Sequence, residues 1–171
     1  MHKIDITESE CSVFKGRWSL KPAQVFPALR AVTYSSTLRV IEFGAGIGTH
    51  DMFNLLQSKV PKLSYTSYEN NPDYVCDNSG VFTVLWDTFP SDLVGDIYDF
   101  VIIDGPNGRQ RINWYPMLVK HTAPGTIMLI DDYEHFPEFE EALNANFKYD
   151  VIGIYRRTFQ RDLTWIVVRI N

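Results

Sequence analysis

The sequence predicts an α/β fold in which helices cover both faces of a mostly parallel sheet. Apolar runs of strand length alternate along the chain with amphipathic segments of helix length. The last two apolar runs are separated only by the polar stretch 156–162, which is too short for a crossover helix, so they should form an antiparallel hairpin. The 171 residues, 45% hydrophobic and 22% charged, suffice for one domain with an ordinary core.

The individual elements follow from these patterns in chain order. A first helix is expected over residues 22–32. Apolar runs then predict seven strands, over residues 39–43, 63–69, 81–85, 98–103, 126–130, 149–155 and 163–170. Helical spacing or start signals predict helices over residues 49–58, 72–78, 110–121 and 137–146. The last is the clearest, because Phe136, Phe139, Leu143 and Phe147 recur at intervals of three and four and Pro137 suits a first turn.

Composition and the N-terminal residues narrow the class of protein. No apolar stretch approaches the roughly 20 residues that a membrane span requires. Residues 1–11 carry acids and hydroxyls where a secretory signal has a basic patch and an apolar run. Cys11 and Cys76 fit neither a disulfide framework nor a metal-binding spacing, and a net charge of -5 gives no general attraction to phosphate backbones. We expect a cytoplasmic protein with no membrane partner, for which nucleic acid is an unlikely partner.

A glycine-rich turn after the first predicted strand is the strongest local signal. Gly44, Gly46 and Gly48 alternate between that strand and the next helix, and glycine lets a ligand lie against the backbone. A dinucleotide-binding turn has the spacing Gly-x-Gly-x-x-Gly, whereas this one reads Gly-x-Gly-x-Gly. The carboxylate of Glu42, two residues earlier, would repel a diphosphate and attract an ammonium or sulfonium group. The turn therefore favours a cationic cofactor.

These residues, Glu-x-Gly-x-Gly-x-Gly at the end of a first strand, resemble the first motif of class I S-adenosylmethionine-dependent methyltransferases. The resemblance spans residues 38–170. It implies a Rossmann-like class I methyltransferase sandwich, with a mostly parallel seven-stranded sheet that ends in an antiparallel hairpin. It also implies a single methyltransferase domain over residues 1–171, in which residues 1–36 form an N-terminal helix and lid and residues 37–171 the cofactor-binding core.

The same resemblance implies roles for acidic residues at the ends of the second and third strands. Glu69 would hold the ribose hydroxyls, Asp87 would face the adenine amino group, and Trp86 could stack on the adenine. Each also has a plainer interpretation, as a loop residue, a helix cap or a packed aromatic side chain. The expected cofactor-binding residues are Glu42, Gly44, Ala45, Gly46, Gly48, Glu69, Asn70, Trp86, Asp87 and Asp104.

Three carboxylates follow the fourth and fifth strands, on the side where the methyl acceptor would bind. Asp104 begins an Asp-Gly-Pro stretch, and Asp131 and Asp132 follow the next strand. Clustered carboxylates repel one another unless a cation or a shared proton relieves them. The arrangement resembles the catechol O-methyltransferase type, which implies that these three bind Mg²⁺ or another divalent ion. The alternative is that Asp104 shapes a turn and Asp132 caps a helix.

The catalytic base stays open, because the lysine usual in that type is missing from the positions after Asp104. Asp104 itself or His135 could serve instead. Arg109 and Arg111 should lie on the acceptor-side rim and bind an anionic group, unless they are solvated and paired with neighbouring acids. Trp18, in the segment before the first strand, is the remaining candidate for acceptor binding.

Together these features predict an S-adenosylmethionine-dependent methyltransferase. The expected reaction is O-methylation of a small molecule; the arginines suggest an acidic acceptor, and the carboxylates suggest assistance from a metal. Two alternatives stay open: methylation of nitrogen or nucleic acid, and a non-catalytic subunit that binds S-adenosylmethionine. A homodimer is also possible, because the chain has no large insertion that would recognise a macromolecule.

Overall fold

The computed structural model describes residues 1–14, 20–106, 108–156 and 164–171. Its centre is a seven-stranded sheet whose strands lie in the order β5-β4-β3-β6-β7-β9-β8. These strands are β3 (Leu38–Phe43), β4 (Leu63–Glu69), β5 (Val81–Leu85), β6 (Phe100–Ile103), β7 (Ile127–Ile130), β8 (Tyr149–Arg156) and β9 (Thr164–Ile170). All seven correspond to predicted strands, so the α/β fold class is confirmed.

Strand direction divides the sheet into two parts. Strands β3 to β7 are parallel, and β9 runs antiparallel to both β7 and β8. The terminal antiparallel hairpin is therefore confirmed. Because the carboxyl ends of parallel strands lie at the same edge of a sheet, the loops after β3, β4, β5, β6 and β7 all open along one edge.

Helices cover both faces of the sheet and enclose two apolar clusters. The helices are α1 (Pro22–Ala31), α2 (Ile47–Lys59), α3 (Trp114–Leu118) and α4 (Pro137–Asn146). Side chains of α1 and α2 share one cluster with Val40 of β3, and side chains of α3 and α4 share the other with Ile41. Adjacent residues of β3 thus face opposite layers, as the two-residue period of a strand requires.

The N-terminal segment belongs to the first of these clusters. A two-stranded antiparallel sheet pairs β1 (His2–Lys3) with β2 (Thr33–Tyr34), an element that the sequence analysis does not predict. Ile6 and Phe14 are buried in the α1 and α2 layer. The lid expected around Trp18 lies outside the described residues. In the part of the chain described, no helix is long and apolar enough to span a membrane.

Two predicted helices are much shorter in the structure. The segment 72–78 contains only a 3-10 turn, Pro72–Tyr74, because its apolar residues are too few to form a helical face. The segment 110–121 is divided into 3-10 turns on either side of the five-residue α3. Pro116 accounts for the division, since it has no N–H to donate to the carbonyl of Ile112.

Candidate functional site

The glycine turn after β3 packs against the loop after β6. Gly44 has φ +95°, and a Cβ at this position would lie 2.6 Å from the backbone nitrogen of Gly105. A Cβ on Gly105 would in turn lie 2.6 Å from Gly44 Cα. Gly44 is therefore required by a backbone-to-backbone contact. Gly46 is different, because a Cβ there would meet no described atom within 4 Å, and Gly48 lies inside α2.

Glu42 is connected to this turn by hydrogen bonds through Thr49. The backbone N–H of Gly46 donates to Thr49 Oγ1 at 2.9 Å, and the Thr49 hydroxyl bonds to the Glu42 carboxyl. The Tyr65 hydroxyl donates to Glu42 Oε2 at 2.9 Å. Burial raises the pKa of Glu42 from 4.5 to about 7. Glu42 is only 3% exposed, so it positions the turn through Thr49.

Glu69, at the end of β4, holds the same turn from the side. Its Oε2 accepts the backbone N–H of Ala45 at 2.7 Å. Its Oε1 accepts the backbone N–H groups of Asn70 at 2.8 Å and Asn71 at 2.7 Å. A carboxylate offers about four lone-pair sites, so these three bonds leave room for about one more donor. With these three bonds in place, Glu69 has room for one ribose hydroxyl, whereas the sequence predicts that it holds two.

Trp86 and Asp87 follow β5 beside an aromatic cluster. The Trp86 ring meets Phe89 and Trp114 edge-on, at centroid distances of 5.2 and 5.8 Å. Its indole Nε1 is buried and has no hydrogen-bond partner among the described residues. Because a buried indole N–H usually has an acceptor, this donor suits a polar atom of a ligand. Asp87 is exposed directly after it.

An open cavity of about 430 Å³ lies beside the glycine turn. Gly46 lines it on one side, and the loop after β4 lines the other. The complete lining is Gly46, His50, Asp51, Asp73, Tyr74, Val75, Cys76 and Asp77. Apart from Gly46, the sequence analysis assigns none of these to the site. The signal it lacks is spatial, because the parallel pairing of β3 with β4 brings the start of α2 against this loop.

Asp104, which is half-buried, and Asp131, which is buried, form a carboxyl pair at the ends of β6 and β7. The Asp104 N–H bonds to the Phe43 carbonyl at 2.8 Å, and the Asp131 N–H to the Ile103 carbonyl at 2.9 Å. Burial and the neighbouring Asp131 raise the pKa of Asp104 well above its usual range. Burial also raises the pKa of Asp131, to about 6, although its hydrogen bond from Asp104 opposes the rise. Of the two carboxyls, Asp104 therefore has the stronger tendency to keep its proton.

Arg111 takes the place beside these acids that the sequence analysis gives to a metal. Its Nη1 lies 3.2 Å from Asp132 Oδ2 and 4.0 Å from Asp131 Oδ2, and its Nε donates to the Pro106 carbonyl at 2.8 Å. The prediction that Arg111 lies on the rim is wrong, because its side chain is only 4% exposed. The neighbouring carboxylates and carbonyls satisfy the guanidinium, which offsets the cost of its desolvation.

The three carboxylates do not fit a divalent ion in this arrangement. Within the described ranges, Asp104, Asp131 and Asp132 form no group whose ligand atoms all lie within 4.8 Å of one another. Asp132 Oδ2 is also paired with the Arg111 guanidinium at 3.2 Å, so this oxygen is not a free ligand.

The remaining predicted acceptor residues lie further out. Arg109 is exposed, pairs with Glu138 at 3.1 Å and lies over the Phe136 ring at 5.6 Å. His135 is exposed, and its ring packs edge-on against Phe136 at a centroid distance of 4.3 Å. Trp18 lies outside the described residues.

Comparison with solved structures identifies the fold. The chain is similar to a precorrin-6y C5,15-methyltransferase from Geobacter metallireducens, with a TM-score of 0.63, 15% identity and 98% of each chain covered. It is also similar to an O-methyltransferase from Bacillus cereus in complex with SAH, with a TM-score of 0.63, 11% identity, and 96% of this chain and 88% of that one covered.

A third solved structure, fibrillarin from Aeropyrum pernix with natively bound S-adenosyl-L-methionine, has a TM-score of 0.53 and 17% identity. That match covers 85% of this chain and 72% of the fibrillarin chain. No family model and no curated protein sequence matches the chain. The architecture is therefore that of class I S-adenosylmethionine-dependent methyltransferases, and identities this low show the fold alone.

Proposed function

We propose that this protein transfers the methyl group of S-adenosylmethionine to a hydroxyl oxygen of a small molecule, with the Asp104–Asp131 pair as its proton-handling group. The main support for this proposal is the position of the carboxyl pair, which lies at the same sheet edge as the glycine turn. A general base works best when its pKa is near the operating pH, and the pKa of Asp131 is raised to about 6.

The cofactor side fits an adenosyl group in three respects. Gly46 leaves open space beside the cavity, Glu69 keeps capacity for about one more hydrogen bond, and the Trp86 indole N–H is a buried donor without a described partner. When bound, S-adenosylmethionine supplies an electrophilic methyl group on a sulfonium sulfur. Gly46 and Ala45 would lie against it, Glu69 would bind the ribose, and Trp86 with Asp87 would flank the adenine.

On the acceptor side, the carboxyl pair would orient the hydroxyl and take its proton. In this proposal Asp104 carries the proton of the pair, because burial and the neighbouring Asp131 raise its pKa well above the usual range, and its hydrogen bond to Asp131 orients that carboxylate. Asp131 would accept the hydroxyl proton while the methyl carbon exchanges its bond to the sulfonium sulfur for a bond to the acceptor oxygen, with S-adenosylhomocysteine as the leaving group. Arg111, close to Asp131 and Asp132, limits the build-up of negative charge at this edge. No step requires a divalent ion.

The acidic character of the acceptor depends on Arg109. Arg109 is the exposed cation closest in sequence to the carboxyl pair, and its charge is partly neutralised by Glu138. An anionic substrate would therefore have to displace Glu138 from Arg109. We assign the acceptor as a small hydroxyl compound and give Arg109 the role of an exchangeable anion contact.

The test has two stages. Calorimetry with S-adenosylmethionine, S-adenosylhomocysteine and NAD first asks which cofactor binds. Formation of S-adenosylhomocysteine is then measured over a panel of phenols, hydroxy acids, amines and RNA, with added magnesium and with a chelator. We expect the adenosyl compounds to bind, and hydroxyl acceptors to be methylated at the same rate with magnesium and with the chelator. Preference for NAD, turnover only on amines or RNA, turnover on no acceptor, or a strict need for magnesium would each overturn it.

A further inference from the structure

We propose that His50, Cys76 and Asp77 form a binding site for Zn²⁺ at the open cavity beside the glycine turn. The imidazole, thiol and carboxylate ligand atoms of these three residues all lie within 4.8 Å of one another. Within the described part of the chain, no other group of three such residues meets this distance. The site is separate from the Asp104–Asp131 pair and does not depend on the proposed methyl transfer.

The ligand set points to a transition metal. One nitrogen, one sulfur and one oxygen ligand suit Zn²⁺, whereas Mg²⁺ and Ca²⁺ select oxygen ligands. Three protein ligands leave a fourth tetrahedral position for water or for a ligand that enters the cavity. Asp51 and Asp73 line the same cavity and add negative charge around a bound cation.

The two elements that carry the ligands are held together without a metal. His50 lies in the first turns of α2, and Asn54, one turn later, accepts a hydrogen bond from the Asn78 side chain at 3.3 Å. Gly80 packs against the Phe53 ring of the same helix, where a Cβ would lie 2.1 Å from Phe53 Cζ. The loop that carries Cys76 and Asp77 therefore lies against α2 through contacts on the far side of the ligands.

The sulfur ligand is itself oriented. The backbone N–H of Asn78 donates to the Cys76 sulfur, and Cys76 packs against the α1 and α2 cluster. An N–H donor two residues after a cysteine stabilises a metal-bound thiolate. His50 and Asp77 are both exposed, so an ion can reach the three ligands from solvent.

The probe is Co²⁺, followed by displacement with Zn²⁺, on the reduced full-length chain. We expect one equivalent of Co²⁺ to produce a sulfur-to-cobalt charge-transfer band, and one equivalent of Zn²⁺ to abolish it, because zinc binds more tightly than cobalt. Cys76→Ser should remove the band, and His50→Gln and Asp77→Asn should each weaken Co²⁺ binding by about tenfold or more. Cys11→Ala and His2→Gln are the matched controls and should keep the wild-type band and affinity.

Thermal unfolding tests the same site in any variant that binds Co²⁺ too weakly for spectroscopy. Zn²⁺ should raise the melting temperature of the wild-type chain and of the His2→Gln control but not that of His50→Gln, because only a ligand bound to the folded state stabilises it. The proposal is overturned if Co²⁺ binds without the charge-transfer band, if the band survives in Cys76→Ser, or if Zn²⁺ stabilises His50→Gln as much as wild type.

Discussion

The two halves of this sheet edge carry acidic residues whose neighbours differ. At the ends of β3 and β4, Glu42 and Glu69 bond to hydroxyl and backbone N–H groups and fix the glycine turn. At the ends of β6 and β7, burial raises the pKa values of Asp104 and Asp131, and we propose that these two carboxyls share one proton. The difference shows that the neighbours of a carboxyl group decide its role, since donors make it a structural acceptor and a second acid makes it a site of proton transfer.

A variant of Asp131 should reduce activity the most, and it should do so without affecting the half of the edge that contains the glycine turn. Asp131→Asn removes the proposed proton acceptor, so kcat should fall by about 10³-fold, within the usual range for general bases. Affinity for S-adenosylhomocysteine should stay within about twofold of wild type, because that variant leaves the glycine turn intact. Steady-state kinetics and calorimetry provide the two readouts.

Asp150→Asn is the matched control for that variant, because Asp150 is an exposed carboxylate on the edge strand β8. It should retain wild-type kcat. If Asp131→Asn turned over as fast as Asp150→Asn, the acceptor edge would have no proton-transfer role.

A pair of glycine variants tests which parts of the cofactor edge are structural. Gly44→Ala forces an alanine into the left-handed region and against the Gly105 backbone, so the free energy of unfolding should fall by about 3 to 4 kcal/mol. Gly46→Ala meets open space and should leave stability within about 0.5 kcal/mol while weakening cofactor binding. Urea denaturation and calorimetry measure both. If both variants lost the same amount of stability, Gly44 and Gly46 would not have different roles.

Glu42 gives the cofactor edge a pH dependence. A carboxyl whose pKa is raised on folding stabilises the fold fully below its unfolded pKa, near 4.5, and that contribution is lost as the pH rises through about 7. Between pH 5 and pH 8 the wild-type free energy of unfolding should therefore fall by roughly 2 kcal/mol more than that of Glu42→Gln. Urea denaturation at both pH values measures the difference. Parallel pH profiles would mean that Glu42 is ionised in the folded protein.

Glu69→Gln gives the smallest expected effect. An amide nitrogen in place of one carboxylate oxygen would face a backbone N–H, either that of Ala45 or those of Asn70 and Asn71, so the turn should loosen. We expect affinity for S-adenosylhomocysteine to fall about tenfold, equivalent to about 1.4 kcal/mol. Unchanged affinity by calorimetry would show that the turn does not depend on this carboxylate.

Much of this fold can be predicted from local patterns. The strands are recognisable because runs such as residues 100–103 and 127–130 are apolar on both faces, and α4 has the predicted boundaries because Pro137 and an apolar stripe mark it. Prediction fails where a nearby group competes with the local pattern. Pro116 interrupts the helix expected over 110–121, and the two-residue strands β1 and β2 are too short to have a pattern.

The site is harder to predict, because side-chain partners depend on three-dimensional neighbours. The spacing of Asp104, Asp131 and Asp132 indicates an acidic edge but cannot show that Arg111 is buried beside it. Likewise, His50 and Cys76 are far apart in sequence, and only the packing of the β4–β5 loop against α2 brings them together. Residue type predicts which groups can do chemistry, and packing decides which of them meet.

NMR titration of the two side-chain carboxyl carbons tests directly whether Asp104 and Asp131 share a proton. We predict that Asp131 titrates near pH 6 and that Asp104 stays protonated well above the usual aspartate range. Asp150 supplies the internal reference of an exposed aspartate. If both carboxyls of the pair lost their protons near pH 4, the ordinary range of an aspartate, there would be no shared proton and methyl transfer would need another base.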